Sequence, residues 1–287
     1  MINKLVIIGV GLIGGSLARA VKQAGFCNAV IGYGRDEATL QKAEALGVID
    51  NYDVTLSAAV RDADIVVLAV PMGAMDAVLK EIAIDLGENT IVTDAGSAKA
   101  SVTDAARQHL KEKFPNFVPG HPIAGTEHSG VEASFAELYQ HRRVILTPTS
   151  ETSPQALSLV RQMWQVAGAV IEEMGIEQHD EILAATSHLP HLLAYNLINT
   201  LIALDESEEI FRFSAGGFRD FTRIASSSPQ MWRDIFMSNQ QSVLTVLDQY
   251  IGDLQALRTA IEQKDAEFLE NTFSKAKAAR DRHVADS

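Results

Sequence analysis

The sequence predicts an α/β protein in which an N-terminal doubly wound parallel sheet is followed by an all-α domain. Short β-branched runs alternate with helical stretches in the first half, and a glycine-rich turn directly follows the first run. After residue 176 only helical periodicity continues. A length of 287 residues suits two domains at about 150 residues each. We place them at residues 1–176 and 177–287.

The β-branched runs have the length of buried strands, and the stretches between them have the length of helices. Strands are predicted at residues 4–8, 29–33, 65–69, 90–94, 116–119, 144–147 and 169–173. Helices are predicted at residues 13–24, which end before a glycine stop signal, and at residues 155–166. This alternation is typical of βαβ units around one parallel sheet.

The second half contains long helical patterns at residues 184–204, 232–260 and 266–282. The longest helix candidate, residues 238–262, has apolar side chains at three- and four-residue spacing around more than one side. These residues are Val243, Leu244, Val246, Leu247, Ile251, Leu254 and Leu257. They can pack within the chain or against a second copy of it. We expect a homodimer formed through the helical domain.

Composition excludes several classes of protein. The 24 Lys and Arg residues are outnumbered by 37 Asp and Glu, and the resulting formal charge of −13 opposes nucleic-acid binding. The single cysteine, Cys27, allows no intrachain disulfide, which suits a reducing cytoplasm. No apolar run approaches the roughly 20 residues of a membrane span. We therefore expect a soluble cytoplasmic protein with no membrane or nucleic-acid partner.

The turn after the first strand has the pattern G-x-G-x-x-G, formed by Gly9, Gly11 and Gly14. In this strand-turn-helix context the glycines allow a tight turn, a close approach of the backbone to a pyrophosphate, and close packing of helix on strand. The predicted helix begins at Ile13, directly after Leu12, and its first N–H groups attract an anion. The alternative is a turn that only packs. We predict a Rossmann-type dinucleotide site.

The end of the second strand indicates which dinucleotide is bound. An acid that would hold the ribose of NAD is missing there, since the position is Gly34, followed by Arg35. A guanidinium suits the 2′-phosphate of NADP, which we therefore favour over NAD. Asp36 offers the alternative if the register shifts by a residue. Val70 and Pro71 end another strand at the same edge of the sheet and are predicted to contact the cofactor.

Further polar residues follow at the expected carboxyl edge and in the helical domain. Ser97 follows a strand, where it can contact a ligand or cap the next helix. The glycine-rich loop 120–130 contains the imidazole of His121, and a neutral imidazole with a pKa of about 6.5 suits a general base. The remaining candidates are Glu127 in that loop, His188 and His191 three residues apart, and Arg219 and Arg223 beside Gly217.

The combination of motifs resembles the prephenate/arogenate (cyclohexadienyl) dehydrogenase family of tyrosine biosynthesis. The motifs are the glycine turn, D-x-G-S-x-K at 94–99, G-H-P-I-A-G-T-E at 120–127, S-H-L-P-H at 187–191, G-G-F-R-D-F-T-R-I-A at 216–225 and M-W-R-D at 231–234. The resemblance implies an oxidative decarboxylation with hydride transfer to NAD(P). The substrate would be prephenate, arogenate or both, and the imidazole of His191 suits the keto acid prephenate.

The resemblance also implies roles for individual residues. His121 would draw the proton from the substrate hydroxyl, and Ser97 would hydrogen-bond His121 and orient it. Arg223 would bind the ring carboxylate, for which a guanidinium is well shaped. Four further residues would surround the substrate side chain or gate the site: His188, His191, Gly217 and Glu127.

The same residues allow other interpretations. Zinc binding by His188 and His191 lacks an evident third ligand. A β-hydroxyacid dehydrogenase would need a catalytic lysine where these two histidines stand, and a non-catalytic dinucleotide sensor would not need His121. Trp232 is expected to pack between helices. Four aromatic residues are assigned to the core: Phe211, Phe213, Phe218 and Phe221.

Overall fold

The computed structural model describes residues 1–126, 128–204 and 207–283. The chain divides into two compact units, Met1–Gln240 and Gln241–Ser287. The first unit contains all the strands of the described residues. The domain boundary expected at residue 176 stays a prediction. Within the described residues, no helix is both long and apolar enough to cross a membrane.

The main sheet has six parallel strands in the order β3-β2-β1-β4-β5-β6. Their bounds are β1 Ile2–Ile8, β2 Cys27–Tyr33, β3 Asn51–Asp53, β4 Ile65–Leu68, β5 Ile91–Asp94 and β6 Phe117–Val118. Ile8 pairs with Tyr33 on one side and with Leu68 on the other, so the strands end level with one another. The order reverses direction between β1 and β4. In such sheets a ligand binds outside the carboxyl ends at this point.

Eleven helices belong to the first unit: α1 Leu12–Gln23, α2 Glu37–Ala45, α3 Leu56–Val60, α4 Met75–Ile82, α5 Ala100–Leu110, α6 Pro154–Val166, α7 Ile176–Leu183, α8 Leu189–Ile202, α9 Ser207–Arg212, α10 Gly216–Thr222 and α11 Pro229–Ser238. That count covers the described residues alone. Two further helices follow: α12 Gln240–Gln263 and α13 Ala266–His283.

The core lies on both faces of the main sheet because side chains alternate along each strand. Leu5 and Ile7 of β1 join one apolar cluster, which includes the fully buried Trp164 of α6. Val6 and Ile8 join a second cluster on the other face. Both faces of the sheet are therefore covered, and the predicted doubly wound α/β class is confirmed.

One part of the strand prediction is wrong. The strands predicted at 144–147 and 169–173 do not extend the parallel sheet but belong to a separate three-stranded sheet. This sheet consists of β7 Gly120–Pro122, β8 Arg143–Leu146 and β9 Val170–Glu173, with β7 antiparallel to β8. Strands β3 and β7 were not predicted, because each has only three residues and neither is a β-branched run.

Two of the long helices predicted in the second half are broken. A π-helical turn, Ala184–His188, lies between α7 and α8. The α-helix predicted at 184–204 therefore begins only at Leu189. The helix predicted at 232–260 is interrupted at Asn239, whose amide donates to the carbonyl oxygen of Asp180 at 2.8 Å. Both breaks lie beside buried polar groups, which helical periodicity alone does not detect.

In the second unit, α12 and α13 carry apolar side chains that the unit itself leaves in solvent. Leu254, Leu257 and Ile261 of α12, with Phe273 of α13, line an open apolar groove. Ile261 is 65% exposed and Phe273 is 58% exposed. Exposed apolar patches on a soluble chain often mark an interaction surface.

Candidate active site

The glycine-rich turn connects β1 to α1, and its three glycines have different surroundings. Gly9 has φ +100, and a Cβ there would lie 2.4 Å from the carbonyl oxygen of Ala69. A Cβ on Gly14 would lie 2.2 Å from the carbonyl oxygen of Gly9. A Cβ on Gly11 would meet nothing within 4 Å. Packing therefore requires Gly9 and Gly14 but leaves the space at Gly11 for a ligand.

This difference gives a testable contrast between two glycines of one motif. Gly14→Val is expected to destabilise the fold by at least about 1–3 kcal/mol, because the new side chain overlaps backbone. Gly11→Val is expected to leave the melting temperature unchanged and to weaken dinucleotide binding at least about tenfold. Thermal unfolding and cofactor titration measure the two effects. Tight cofactor binding by Gly11→Val would contradict the phosphate-binding role of the turn.

Gly34 directly follows β2, at the position where the sequence analysis looked for an acid. A Cβ on Gly34 would be in ordinary contact, 3.5 Å from Cδ2 of Leu40, so a side chain fits there. Asp36 is the N-cap of α2 and accepts from the backbone N of Thr39 at 3.2 Å. The hydrogen bonds from Thr39 lower the pKa of Asp36. Arg35 is exposed beside this cap.

Val70 and Pro71 follow β4 at the carboxyl edge, as the sequence analysis placed them. Cγ1 of Val70 lies 3.2 Å from the position that a Cβ on Gly9 would take. After Pro71, a 3-10 turn brings Gly73 close to Asp234 of α11, whose Oδ2 is 2.8 Å from the position of a Gly73 Cβ. Helix α11 therefore packs on the loop beside the glycine turn.

His121 lies in the middle of β7, opposite Ile145, and not in a loop as the sequence analysis placed it. The imidazole is buried. Its Nδ1 is 2.9 Å from Nε2 of His179 on α7, and the two rings meet edge to face. The bond at Nδ1 is thus made by His179, and the expected contact of Ser97 with His121 stays a prediction.

Ser97 lies partly buried in the loop between β5 and α5. It is not the N-cap of α5, because that position is Lys99. The first N–H groups of α5 are held by Asp180 of α7, which accepts from Lys99 N at 2.8 Å and from Ala100 N at 2.9 Å. Ser97 is thus left at the carboxyl edge of β5, where it can contact a ligand.

Burial controls the protonation of His121. Loss of solvent lowers the pKa of His121 well below its usual value, and the neighbouring His179, Lys99 and His188 lower it further. The imidazole is therefore neutral at pH 7, with one nitrogen available as a proton acceptor. This is the state that a general base requires.

The motif D-x-G-S-x-K anchors the strand that carries His121. Asp94 and Lys99 form a fully buried ion pair. Nζ of Lys99 also donates to the carbonyl oxygen of Gly120 at 2.7 Å, and Oδ1 of Asp94 accepts from the N–H of Gly120 at 3.1 Å. The pair thus binds both backbone groups of the residue before His121. The motif was recognised in the sequence, but no role was predicted for Asp94 or Lys99.

The rings of His188 and His191 both pack against the ring of Trp232. Nδ1 of His188 accepts from the side-chain amide of Asn239 at 3.2 Å, and burial lowers the pKa of His188 to about 4. Nδ1 of His191 donates to the carbonyl oxygen of Ser187 at 2.8 Å, and its ring stacks on Trp232 at 3.7 Å. Trp232 is buried between helices, as predicted.

Arg223 begins a 3-10 turn, Arg223–Ser226, that packs against α8. Burial lowers the pKa of His191, and the nearby positive charge of Arg223 lowers it further. Gly217 lies in α10, where a Cβ would meet nothing within 4 Å. Glu127 lies outside the described residues. No cluster of three or more potential ligands that could hold a metal ion occurs in the described part of the chain.

The assignment of four phenylalanines to the core is wrong within the single chain. Phe213 is 70% exposed and Phe221 is 41% exposed. Phe211 and Phe218 are partly exposed and pack on each other, with ring centroids 6.1 Å apart. The short helices α9 and α10 have no buried side among their described residues.

The fold and the site together define a class of protein. A phosphate-binding turn lies where the strand order of the parallel sheet reverses. A buried neutral imidazole lies on β7, which follows β6 of that sheet in the chain. This combination is that of an oxidoreductase that uses a nicotinamide dinucleotide.

Comparison with known proteins gives the family. The model described as "Prephenate dehydrogenase, nucleotide-binding domain" matches residues 17–173, and "Prephenate dehydrogenase, dimerization domain" matches residues 176–275. A cyclohexadienyl dehydrogenase of Zymomonas mobilis is 43% identical, over 96% of this chain and 94% of that protein. A prephenate dehydrogenase of Bacillus subtilis is 38% identical, over 98% of this chain and 76% of that protein.

Among solved structures, the prephenate dehydrogenase of A. aeolicus in complex with hydroxyphenyl propionate and NAD+ is similar throughout. It has a TM-score of 0.91 and 37% identity, and 98% of each chain is covered. The chain therefore belongs to the prephenate dehydrogenase family. This membership confirms the resemblance and replaces the two alternatives, a β-hydroxyacid dehydrogenase and a dinucleotide sensor.

Proposed function

We propose that the protein oxidatively decarboxylates prephenate, arogenate or both in tyrosine biosynthesis, with His121 as the general base. The observation that carries this proposal is the buried, neutral imidazole of His121, whose Nδ1 is bonded to His179. No hydrogen bond to Nε2 is made within the described residues, so this nitrogen is left for the substrate. Membership of the family supports the reaction.

In the proposed reaction, His121 takes up one proton and returns it, while the substrate loses a hydride and carbon dioxide. Nε2 of His121 accepts the proton of the ring hydroxyl, and the oxygen lone pair forms a carbonyl as hydride leaves the same carbon. The cofactor, when bound, accepts that hydride. The bond to the ring carboxylate then breaks, its electron pair enters the ring, and carbon dioxide departs. His121 returns the proton to the oxygen, which becomes the phenol of the product.

A substrate with two carboxylates requires cations and hydrogen-bond donors in the site. Arg223 is proposed to hold the ring carboxylate, since a guanidinium binds two oxygens at once. Decarboxylation removes that charge, so Arg223 must position the group without overstabilising it in the ground state. His188, His191, Gly217 and Glu127 are proposed to surround the side chain. Because Asn239 donates to Nδ1 of His188, the Nε2 of His188 is left as a donor.

We propose NADP as the preferred cofactor. Gly34 supplies no carboxylate to repel a 2′-phosphate, and Asp36 is engaged as the cap of α2. Arg35 lies next to both residues and is exposed. Gly9, Gly11 and Gly14, with the N–H groups of Leu12 and Ile13, would hold the pyrophosphate, and Val70 and Pro71 would border the nicotinamide side. The similar A. aeolicus structure was solved with NAD+, so the preference needs a direct test.

The proposal is tested by the rate of cofactor reduction with prephenate and with arogenate, each measured against NAD and NADP. We expect reduction with at least one acid, and faster reduction with NADP than with NAD. Absence of reduction in all combinations would contradict the reaction. A preference for NAD would contradict only the assignment of Arg35.

The helical region is proposed to form a homodimer. The family model that matches residues 176–275 is described as a dimerization domain, and α12 and α13 expose the apolar groove described above. We expect light scattering to give about twice the mass of one chain, 31.1 kDa, at micromolar concentration. Ile261→Lys is expected to shift the protein toward the monomer. Ile84→Lys, at an 86% exposed site in the first unit, is the matched control. A monomeric wild-type protein would contradict the proposal.

A further inference from the structure

Two buried residues that the reaction does not itself require are connected to the proposed base. His179 and Asp180 are neighbours on α7, and both are buried. Nδ1 of His179 is 2.7 Å from Oδ1 of Asp180, and Nε2 of His179 is 2.9 Å from Nδ1 of His121. The three side chains form one continuous hydrogen-bonded chain. Its far end is a carboxyl group and its near end is the imidazole on β7.

Asp180 is held as a carboxylate. Burial alone would raise its pKa, but the hydrogen bonds from His179, Ala100 and Lys99 outweigh burial and keep the pKa below the usual value. Two of these bonds come from the backbone N–H groups at the start of α5, at 2.8 and 2.9 Å. An ionised carboxylate only accepts hydrogen bonds. The proton in its bond with His179 must therefore reside on Nδ1 of His179.

The protonation of both imidazoles follows from this fixed end. Burial lowers the pKa of His179, so the ring is neutral, and with its proton on Nδ1 its Nε2 must accept. His121 is neutral as well, so its Nδ1 donates to His179 and its Nε2 keeps the lone pair. The opposite tautomer of His121 would place two lone pairs against each other at 2.9 Å.

We propose that Asp180 and His179 are positioning residues that hold His121 in the tautomer with an unprotonated Nε2. The pair acts through His121 and does not touch the substrate. Because a carboxylate at the buried end forbids the reverse arrangement, the base is ready before the substrate binds. This inference rests on the proposed role of His121 as the base.

The other charged and titratable groups around His121 do not set its tautomer. The ammonium of Lys99 donates to Asp94 and to the carbonyl oxygen of Gly120. Asp94 accepts from Gly96 and Gly120 as well as from Lys99. His188 has its Nδ1 bonded to Asn239. Among the described residues, His179 is the only hydrogen-bond partner of Nδ1 of His121.

The substitution that tests this inference most sharply is Asp180→Asn. Oδ1 of Asp180 accepts from both His179 and Lys99 N, and Oδ2 accepts from Ala100 N, so the single oxygen of an asparagine replaces only one of these two acceptors. Where the amide N–H₂ takes the place of Oδ1, it donates to Nδ1 of His179. The protons of His179 and His121 then both move to Nε2, and the base loses its lone pair. The matching change in the Ser-His-Asp triad lowers kcat by about 10⁴ through the wrong tautomer. We expect a loss of at least about 100-fold in kcat, with KM and cofactor affinity nearly unchanged.

Three variants serve as comparisons. His179→Gln retains an oxygen that accepts from Nδ1 of His121 and is expected to keep more activity than His179→Phe, which has no acceptor. Asp76→Asn alters a second His–Asp pair, in which Nε2 of His109 is 2.8 Å from Oδ1 of Asp76 on the exposed side of α4. It is expected to leave kcat unchanged. These comparisons decide the proposal even if Asp180→Asn does not fold.

The direct readout is the tautomer of His121 in the resting enzyme, measured by NMR of ¹⁵N-labelled histidine and assigned with His121→Asn. The proton is expected on Nδ1 in the wild type, and on Nε2 in the Asp180→Asn enzyme of lowered kcat. A wild-type proton on Nε2 would overturn the proposal, as would a lowered kcat in Asp180→Asn with an unchanged tautomer, or equal activity of His179→Gln and His179→Phe. The measurement needs no substrate, so it stands apart from a failure of the proposed reaction.

Discussion

Replacing His121 by asparagine is expected to lower kcat by about 10²–10⁴, the usual contribution of a general base. Asparagine retains a hydrogen bond to His179 but accepts no proton from the substrate hydroxyl. Hydride transfer would then develop positive charge on the substrate oxygen without relief. The dissociation constant of the dinucleotide should stay the same, because the glycine turn is untouched. Steady-state kinetics and cofactor titration together measure both effects.

The same substitution elsewhere in the chain provides the control. His141 is exposed and has φ +59, a backbone conformation that asparagine adopts readily. His141→Asn is therefore expected to leave both activity and stability unchanged. If His121→Asn were as active as His141→Asn, His121 would not be the base.

The pH dependence of kcat/KM gives a second view of His121 in the wild type. Protonation removes the lone pair that accepts the substrate proton, so activity falls on the acid side. Because burial, His179, Lys99 and His188 lower the pKa of His121, activity should persist below the usual imidazole pKa of about 6.5. An acidic limb centred at or above that pH would contradict the burial of the base.

The second large effect is expected at Gly34. Gly34→Asp introduces a carboxylate that repels a 2′-phosphate and can accept from a ribose hydroxyl, and the site has room for its Cβ. We expect the ratio of kcat/KM for NADP to that for NAD to fall by about 10²-fold, since one charged hydrogen bond contributes about 1.5–3 kcal/mol. Arg35→Ala should lower the same ratio by removing the proposed phosphate partner.

Asp36→Asn is the informative comparison for this prediction. An asparagine still caps α2 by accepting from the N–H of Thr39, so stability should be unchanged. If Arg35 reads the phosphate, Asp36→Asn should also leave the cofactor preference unchanged. A preference that responds to Asp36→Asn and not to Arg35→Ala would assign the ribose contact to Asp36.

The sheet and the glycine turn could be predicted because their signals are local. A β-branched run predicts a strand from its own residues, and G-x-G-x-x-G requires only the strand before it and the helix after it. The same local reasoning selected His121, His188 and Arg223 by motif, and their roles stay predictions. It did not find β7, because three residues that include a proline carry too little periodicity to predict a strand.

The hydrogen-bonded surroundings of His121 could not be predicted because their partners are distant in sequence. His179 is 58 residues from His121, and Asp180 is 81 residues from Lys99, whose N–H it accepts. A His-Asp pair within a helix suggests a solvent-exposed turn unless the packing around it is known. The contact of Ser97 with His121 stays a prediction, since proximity in the sheet does not reveal that Nδ1 of His121 is already bonded to His179.

The oxidative decarboxylation is tested most directly by following two of its products at the same time. Prephenate carrying ¹³C in its ring carboxylate is incubated with the enzyme and NADP, and labelled carbon dioxide and reduced cofactor are quantified together. Oxidative decarboxylation predicts that they appear in equal amounts and at the same rate, and that His121→Asn slows both alike. Release of carbon dioxide without reduction of the cofactor would contradict the reaction assigned to this protein.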